Sequence, residues 1–121
     1  MATGVSVSVA NTALDGIRTD TPFVQLHVGD PGAAGTANVA TETTRKAVTF
    51  SAASGGSMTN SAQVQWTNIA GSQDATHVSI WNAASAGTFK ASGVVTANPY
   101  TAGDTYTIAA SGMTATITGA G

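Results

Sequence analysis

The chain has 121 residues and a formal net charge of -2, and only 8% of its residues are charged, against about 25% in typical globular proteins. Its four Lys and Arg residues are too few for a phosphate-binding patch, which argues against nucleic-acid and anionic-membrane partners. Cysteine is absent, which excludes disulfides and thiolate chemistry, and no apolar run approaches the roughly 20 residues needed to span a bilayer. We expect a soluble protein without a secretion signal, folded as one domain over residues 1–121.

The first predicted element is a short helix within an N-terminal arm over residues 1–20. Apolar residues recur there at helical spacing, at Val7, Ala10, Leu14 and Ile17. Ser6 or Ser8 can cap the start of the helix, and Gly16 is placed to stop it. The alternation of valine with serine over residues 5–9 leaves an extended start as the alternative.

From residue 22 to residue 118 the pattern changes to a β body. About seven short segments are rich in β-branched and aromatic residues, at 24–28, 47–50, 64–66, 78–81, 89–95, 106–108 and 113–117. Turn-forming residues separate them, which predicts a mainly β fold: a single antiparallel β-sandwich, Ig-like or jelly-roll-like. The two-residue link Ser111-Gly112 also predicts a C-terminal hairpin between the last two strands.

The stretch LHVGDPG over residues 26–32 allows two interpretations. His27 has the chemistry of a general base or metal ligand oriented by Asp30. Alternatively Asp-Pro-Gly simply ends a strand in a turn, and we favour this interpretation. His27 falls on the polar side of the alternation, where we expect side chains to meet solvent or another subunit. If its ring is exposed, His27→Ala should change stability by less than about 1 kcal/mol.

A long polar segment from Gly29 to Arg45 has no clear periodicity, which marks it as a surface loop that contacts something. Arg45 and Lys46 follow it as adjacent cations. They form either a solvated strand end or a cationic anchor for an acidic patch on a partner.

His77, Ser79 and Trp81 share one face of a predicted strand, so an aromatic ring lies on the face expected to be polar. Either the sheet is covered on both sides, or Trp81 marks a contact surface. The candidate partner-contact residues are Arg45, Lys46, Trp81, His77 and Asp30.

No combination of residues predicts catalysis. The sequence contains no G-x-S-x-G elbow, and its two histidines and six acidic residues show no metal-ligand spacing. The glycines at 29, 32 and 35 lack the order of a phosphate loop and no helix signal follows them. We therefore predict a protein that is not an enzyme and uses no cofactor or metal.

Several separated motifs keep their order along the chain: LHVGDPG at 26–32, RKAVTFSAA at 45–53, THVSIW at 76–81 and TAGDTYTI at 101–108. In this order they resemble small virion proteins of actinobacterial tailed phages, in which an LHT-x-DPG segment precedes a glycine-rich loop. Here Val28 replaces the threonine of that motif. Such proteins are labelled tail-fibre-like, minor tail or head-decoration proteins, and the resemblance implies a non-enzymatic, β-rich structural protein.

A compact single domain without a fibrous shaft suits a position on a capsid lattice. The resulting functional hypothesis is an accessory capsid decoration or minor capsid protein that is made in the host cytoplasm and stabilises the assembled head. Its partners would be the major capsid protein or other virion subunits and copies of itself. The first alternative is a minor tail or tail-fibre module for host attachment, with Trp81, Trp66 or the 29–45 loop at the contact and a host surface glycan as partner. The second is a lectin-like carbohydrate-binding domain that uses exposed tryptophans.

Overall fold

The computed structural model describes residues 5–116, so residues 1–4 of the predicted arm and residues 117 and 118 of the predicted β body lie outside the described part. All pairings between its named strands are antiparallel. The elements are α1 Val7–Arg18, β1 Phe23–His27, β2 Lys46–Ala47, β3 Ser57–Thr59, β4 Val64–Trp66, β5 Gln73–Trp81, β6 Phe89–Tyr100, β7 Tyr106–Ile108 and β8 Met113–Thr116. The prediction of a mainly β fold with one short N-terminal helix is confirmed.

Helix α1 begins as the sequence predicts but ends later. The side chain of Ser6 accepts a hydrogen bond from the Val9 amide at 3.1 Å, so Ser6 is the N-cap. The helix continues through Gly16, because Thr19 closes its end by donating its amide and its hydroxyl to the Asp15 carbonyl, at 3.0 and 2.8 Å. Gly16 is therefore not the stop signal. No helix in residues 5–116 has the length and apolarity to cross a membrane.

Six strands form one sheet in the order β2-β1-β5-β6-β8-β3, and β4 pairs with β7 in a second, smaller sheet. The register places Val24 opposite Ile80 and Leu26 opposite Val78, so these four side chains share the inner face of the large sheet. They belong to one buried apolar cluster with Leu14 of the helix and with residues of both strands of the small sheet. Burial of this shared core holds the sandwich-like arrangement together.

Trp66 lies in the centre of this core. It is 1% exposed, its ring centroid is 5.9 Å from that of Tyr106, and its Nε1 donates to the Thr44 carbonyl at 2.8 Å. The indole therefore fills the space between the sheets with its polar atom satisfied. Trp66 is a core residue and not an exposed contact.

The predicted C-terminal hairpin is wrong. Strand β7 pairs with β4, whereas β8 pairs with β6 and β3. The buried side chain of Asn60 separates the two strands, because it donates to the Ala109 carbonyl and accepts from the Met113 amide, both at 2.9 Å. Ser111 takes a positive φ of 66°, and its amide bonds to the Asn60 carbonyl at 2.8 Å. The link is a turn between two sheets.

Two further differences concern short strands. Strand β3, Ser57–Thr59, has a single apolar residue, Met58, and so gave no alternating pattern. The predicted strand over residues 47–50 is reduced to β2, with Phe50 making only an isolated bridge to Asn60.

Candidate functional site

Residues 28–45, here called the covering loop, lie over the outer face of β1 and β5. The outer side chains of these strands would be solvent-exposed in an open sheet, but Gln25 is 9% exposed, His27 and Ser79 are 0% exposed, and Trp81 is 9% exposed. Gly35 of the loop, at φ +73°, is so close to the Phe89 ring that any added Cβ would clash. The sheet is therefore covered on both sides at this end.

The expectation of an exposed His27 ring is wrong. His27 Nδ1 lies 2.8 Å from the Ala37 carbonyl oxygen, and Nε2 lies 2.7 Å from Ser79 Oγ, which also accepts a hydrogen bond from Trp81 Nε1 at 2.8 Å. Strand alternation assigned the side chain to the correct face, but it contained no information on whether another segment covers that face.

The environment of His27 favours a neutral ring. Burial lowers the pKa of His27, and the positive form of His77, directly opposite on β5, lowers it further, against the raising effect of the Ala37 and Asn38 backbone. The His27–Ser79 pair does not present a nucleophile, because the hydroxyl is fully buried and the ring is oriented by a backbone carbonyl.

The interpretation of Asp-Pro-Gly as a turn is confirmed. Asp30 Oδ1 accepts from the Gly32 amide at 2.9 Å, and Gly32 has a φ of +76°. The Asp30 carbonyl accepts from Asn38 Nδ2 at 2.9 Å, which joins the two sides of the loop tip. Asp30 itself is exposed.

Arg45, the last residue of the covering loop, anchors that end of the loop by hydrogen bonds and a contact with an aromatic ring. Its Nη1 donates to the carbonyls of Ala83 and Ala86 at 3.1 and 2.6 Å, and its Nε donates to Gln25 Oε1 at 3.2 Å. The guanidinium carbon lies 4.0 Å from the centroid of the Trp81 ring. Arg45 thus makes internal contacts, while the half-buried Lys46 has no ion pair within residues 5–116.

Trp81 is not the exposed contact that one interpretation of the sequence required. Its ring is packed between Arg45 and Phe89, with a centroid distance of 5.4 Å to Phe89. Because Trp66 is also buried, neither tryptophan offers a free face for stacking on a sugar. His77 is half-buried, with Nδ1 2.9 Å from Thr76 Oγ1.

Glu42 is an anchor that the sequence did not reveal. It is 9% exposed, and its two carboxylate oxygens accept from the amides of Ala70 and Thr44, at 3.1 and 3.2 Å. Burial raises the pKa of Glu42, but hydrogen bonds from the side chain and amide of Thr44 and from the Ala70 amide, together with the charge of Lys46, outweigh it, and the net shift is downward. A single glutamate in a polar stretch carries no sequence signal of burial.

The covering loop therefore has a fixed base and an exposed tip. His27, Glu42 and Arg45 hold it from below, whereas the exposed side chains at the tip are small and uncharged. The exposed residues 32–34 and 36–39 form this tip, while the backbone carbonyl of Ala37 turns inward to His27 and belongs to the base. Within residues 5–116 no group of three or more metal-ligating side chains occurs. The arrangement is suited to contact with another macromolecule through shape and backbone hydrogen bonds.

The family model described as "Podophage GP4 fiber I protein gp80" matches residues 2–116. The match includes the helix, all eight strands and the covering loop. A search of curated proteins gave no match. The family match supports the phage structural class that the resemblance implied, but it does not single out the actinobacterial LHT-x-DPG group.

Proposed function

We propose that this chain, which belongs to the podophage fiber I protein family, is a tail-fibre module of the phage particle whose covering loop contacts the host surface. Membership in a phage fibre family makes the chain a virion structural protein. The single observation that supports a position on the tail is the fibre description of a family model that matches nearly the whole chain. Assembly with copies of itself stays a prediction.

The proposal departs from the capsid-decoration hypothesis that the sequence favoured. That hypothesis depended on a compact β domain without a fibrous shaft. Compactness does not distinguish a head protein from a globular part of a fibre, whereas the family description names a fibre. A position on the head is therefore the outcome that the experiment has to exclude.

The structure supports the covering loop as the contact. Its base is fixed by side-chain hydrogen bonds from His27, Glu42 and Arg45, so the loop loses little conformational entropy on binding. Its exposed tip has no charge to desolvate. With both tryptophans buried, recognition would depend on backbone groups, Thr36 and Asn38 instead of ring stacking.

The experiment introduces one bulky cation into the loop tip of the intact phage. Ala34→Arg changes an exposed residue at the tip, and Ala102→Arg places the same side chain on an exposed turn elsewhere as the matched control. We expect particles with Ala34→Arg to adsorb to the host at least tenfold more slowly, and the control particles to adsorb normally. Immunogold labelling of wild-type particles should mark the tail.

Two results would contradict the proposal. Label confined to the head would restore the capsid-decoration hypothesis. Normal adsorption by particles shown to incorporate the Ala34→Arg protein would exclude the loop tip as the contact, even if the label lies on the tail.

A further inference from the structure

We propose that His27 is a proton-operated latch for the covering loop: acidification protonates its ring and releases residues 28–40 from the sheet. This goes beyond a role in virion structure, because it makes exposure of the loop dependent on pH. The inference depends on the hydrogen-bond chain from Trp81 to the loop backbone and on the full burial of its members His27 and Ser79.

The hydrogen-bond chain from Trp81 to the Ala37 carbonyl is satisfied by only one arrangement of protons. Trp81 Nε1 can only donate, and the Ala37 carbonyl can only accept. His27 Nδ1 must therefore carry a hydrogen that it donates to Ala37. The Ser79 hydroxyl accepts from Trp81 and donates to His27 Nε2, so all groups are satisfied only when the ring is neutral and protonated at Nδ1.

A second proton on the ring breaks this arrangement. His27 Nε2 would then donate to Ser79 Oγ, which already accepts from Trp81 Nε1. The hydroxyl proton of Ser79 would lose its acceptor in a place that is 0% exposed. An unsatisfied buried donor and an unpaired buried charge both destabilise the closed state.

The surrounding charges do not compensate the imidazolium. His77 faces it from β5, and Arg45 of the covering loop carries a positive charge stacked on Trp81. The loop's carboxylates are engaged elsewhere: Asp30 accepts from the Gly32 amide, and Glu42 accepts from two backbone amides. The positive ring can be stabilised only by admitting water.

Water reaches the ring most easily from the side of the loop. His27 Nε2 faces Ser79 on β5, an interior strand with neighbours on both sides. The loop, by contrast, is joined to β1 by few backbone hydrogen bonds, among them Ala40 N to the Leu26 carbonyl at 3.1 Å. Local opening of such a segment needs less free energy than disruption of the sheet.

The expected pH window follows from the direction of the shift. The pKa of His27 in the closed state lies below its ordinary 6.5, so the closed state is favoured above pH 6.5 and loses stability as the pH falls below it. Asp15, Asp20 and Glu42 also have lowered pKa values, but from ordinary values of 3.8 and 4.5. Loss of loop stability between pH 6.5 and 5 therefore reports a histidine, and the variant pair below separates His27 from His77.

The test begins with the wild-type protein. Nitrogen-15 NMR of the His27 ring at pH 7.5 should show the neutral form with hydrogen on Nδ1. Between pH 7.5 and 5.0, hydrogen exchange at the amides of Val28 and Ala40, corrected for the intrinsic rate, should lose at least tenfold in protection. Amides of β4 and β7, in the smaller sheet, should keep their protection over the same pH range.

A variant pair then identifies the titrating group. His27→Asn keeps a donor for the Ala37 carbonyl but cannot be protonated, so its loop protection should not change between pH 7.5 and 5.0. His77→Asn, the matched control on the facing strand, should still lose loop protection as the pH falls. An unchanged wild-type loop, a ring with hydrogen on Nε2, or a response retained in His27→Asn would each overturn the latch. If His27→Asn does not fold, the two wild-type measurements decide.

A role of the latch in host attachment rests on the proposed function. The test of loop opening does not depend on that function. Loop opening is measured on the isolated protein, whereas the proposed function is tested by adsorption of Ala34→Arg particles at one pH. A loop that opens in acid but makes no host contact would overturn only the function. A loop that makes the contact but stays closed would overturn only the latch.

Discussion

His27 and Asn60 are two fully buried polar side chains that hold irregular segments, one below the covering loop and the other below the turn before β8. Asn60 Nδ2 donates to the carbonyls of Ala62 and Ala109, and its Oδ1 accepts from Met113, all at 2.9 Å. The amide keeps its donors and acceptor at any ordinary pH, whereas the imidazole of His27 fits its site in one protonation state only. The type of side chain thus decides whether an anchored segment responds to protons.

The largest expected loss in the free energy of unfolding comes from replacing Asn60 by a titratable residue. In Asn60→Asp the ionised carboxylate cannot donate to the two carbonyls and is buried without a cation, so we expect a loss of about 4 kcal/mol or more at pH 8. Burial raises the pKa of the new acid, so its stability should recover as the pH falls. This slope is opposite to that expected from His27.

Urea unfolding at pH 8 and pH 5.5 measures both the loss and its sign. Ser61→Ala is the matched control, since Ser61 is the exposed neighbour whose hydroxyl bonds to the Thr49 carbonyl at 3.2 Å. It should change stability by no more than about 0.5 kcal/mol at either pH. Equal destabilisation of Asn60→Asp at the two pH values would show that the site admits water.

The second-largest loss of stability is expected on removal of the His27 ring. His27→Ala should cost about 3 kcal/mol at pH 7.5, because it leaves a cavity and removes the partners of Ser79 and Ala37. The cost should shrink toward pH 5, where the wild type itself loses stability. His77→Ala, at a half-buried position, should cost less than about 1 kcal/mol, and equal losses in the two variants would mean that His27 is not an anchor.

The sequence predicted these anchors unequally. The alternation around Leu26 and Val78 assigned inner and outer faces correctly, and the two serines at positions 6 and 8 marked the start of the helix, because both signals are local. The coverage of His27 depends on a loop that folds back over its own strand, which periodicity does not encode. The sequence therefore predicted the correct face for His27 and the wrong environment.

The same limit explains the wrongly predicted hairpin and the missed glutamate. Ser111-Gly112 has the composition of a hairpin turn. The strands β7 and β8 on either side of it separate because Asn60, about fifty positions earlier in the chain, packs between them and accepts from the Met113 amide. Glu42 is buried because the amides of Thr44 and Ala70 receive its oxygens, and the second of these is also remote in sequence. Long-range hydrogen bonds were the information that local patterns lacked.

A smaller effect is expected at the other end of the covering loop. Arg45→Ala should cost about 1.5 kcal/mol, because it removes the hydrogen bonds to Ala83 and Ala86 and the contact with the Trp81 ring. Lys46→Ala, the adjacent cation without an ion pair in the described chain, should stay within about 0.5 kcal/mol. Thermal unfolding of the two variants measures whether Arg45 stabilises the fold more than Lys46 does. Equal losses of stability would mean that both residues belong to a solvated strand end.

The smallest change in stability should come from Asp30, which holds the turn that leads into the exposed tip. Asp30→Asn keeps the oxygen that accepts from the Gly32 amide and should leave stability unchanged, while Asp30→Ala should cost about 0.5 kcal/mol. Hydrogen exchange in Asp30→Ala should quicken at Gly32 but not at Ala40, because His27 and Glu42 hold the base independently of the turn. Faster exchange throughout residues 28–40 would instead mean that the loop is held at its tip, and that protonation below it could not act as the release.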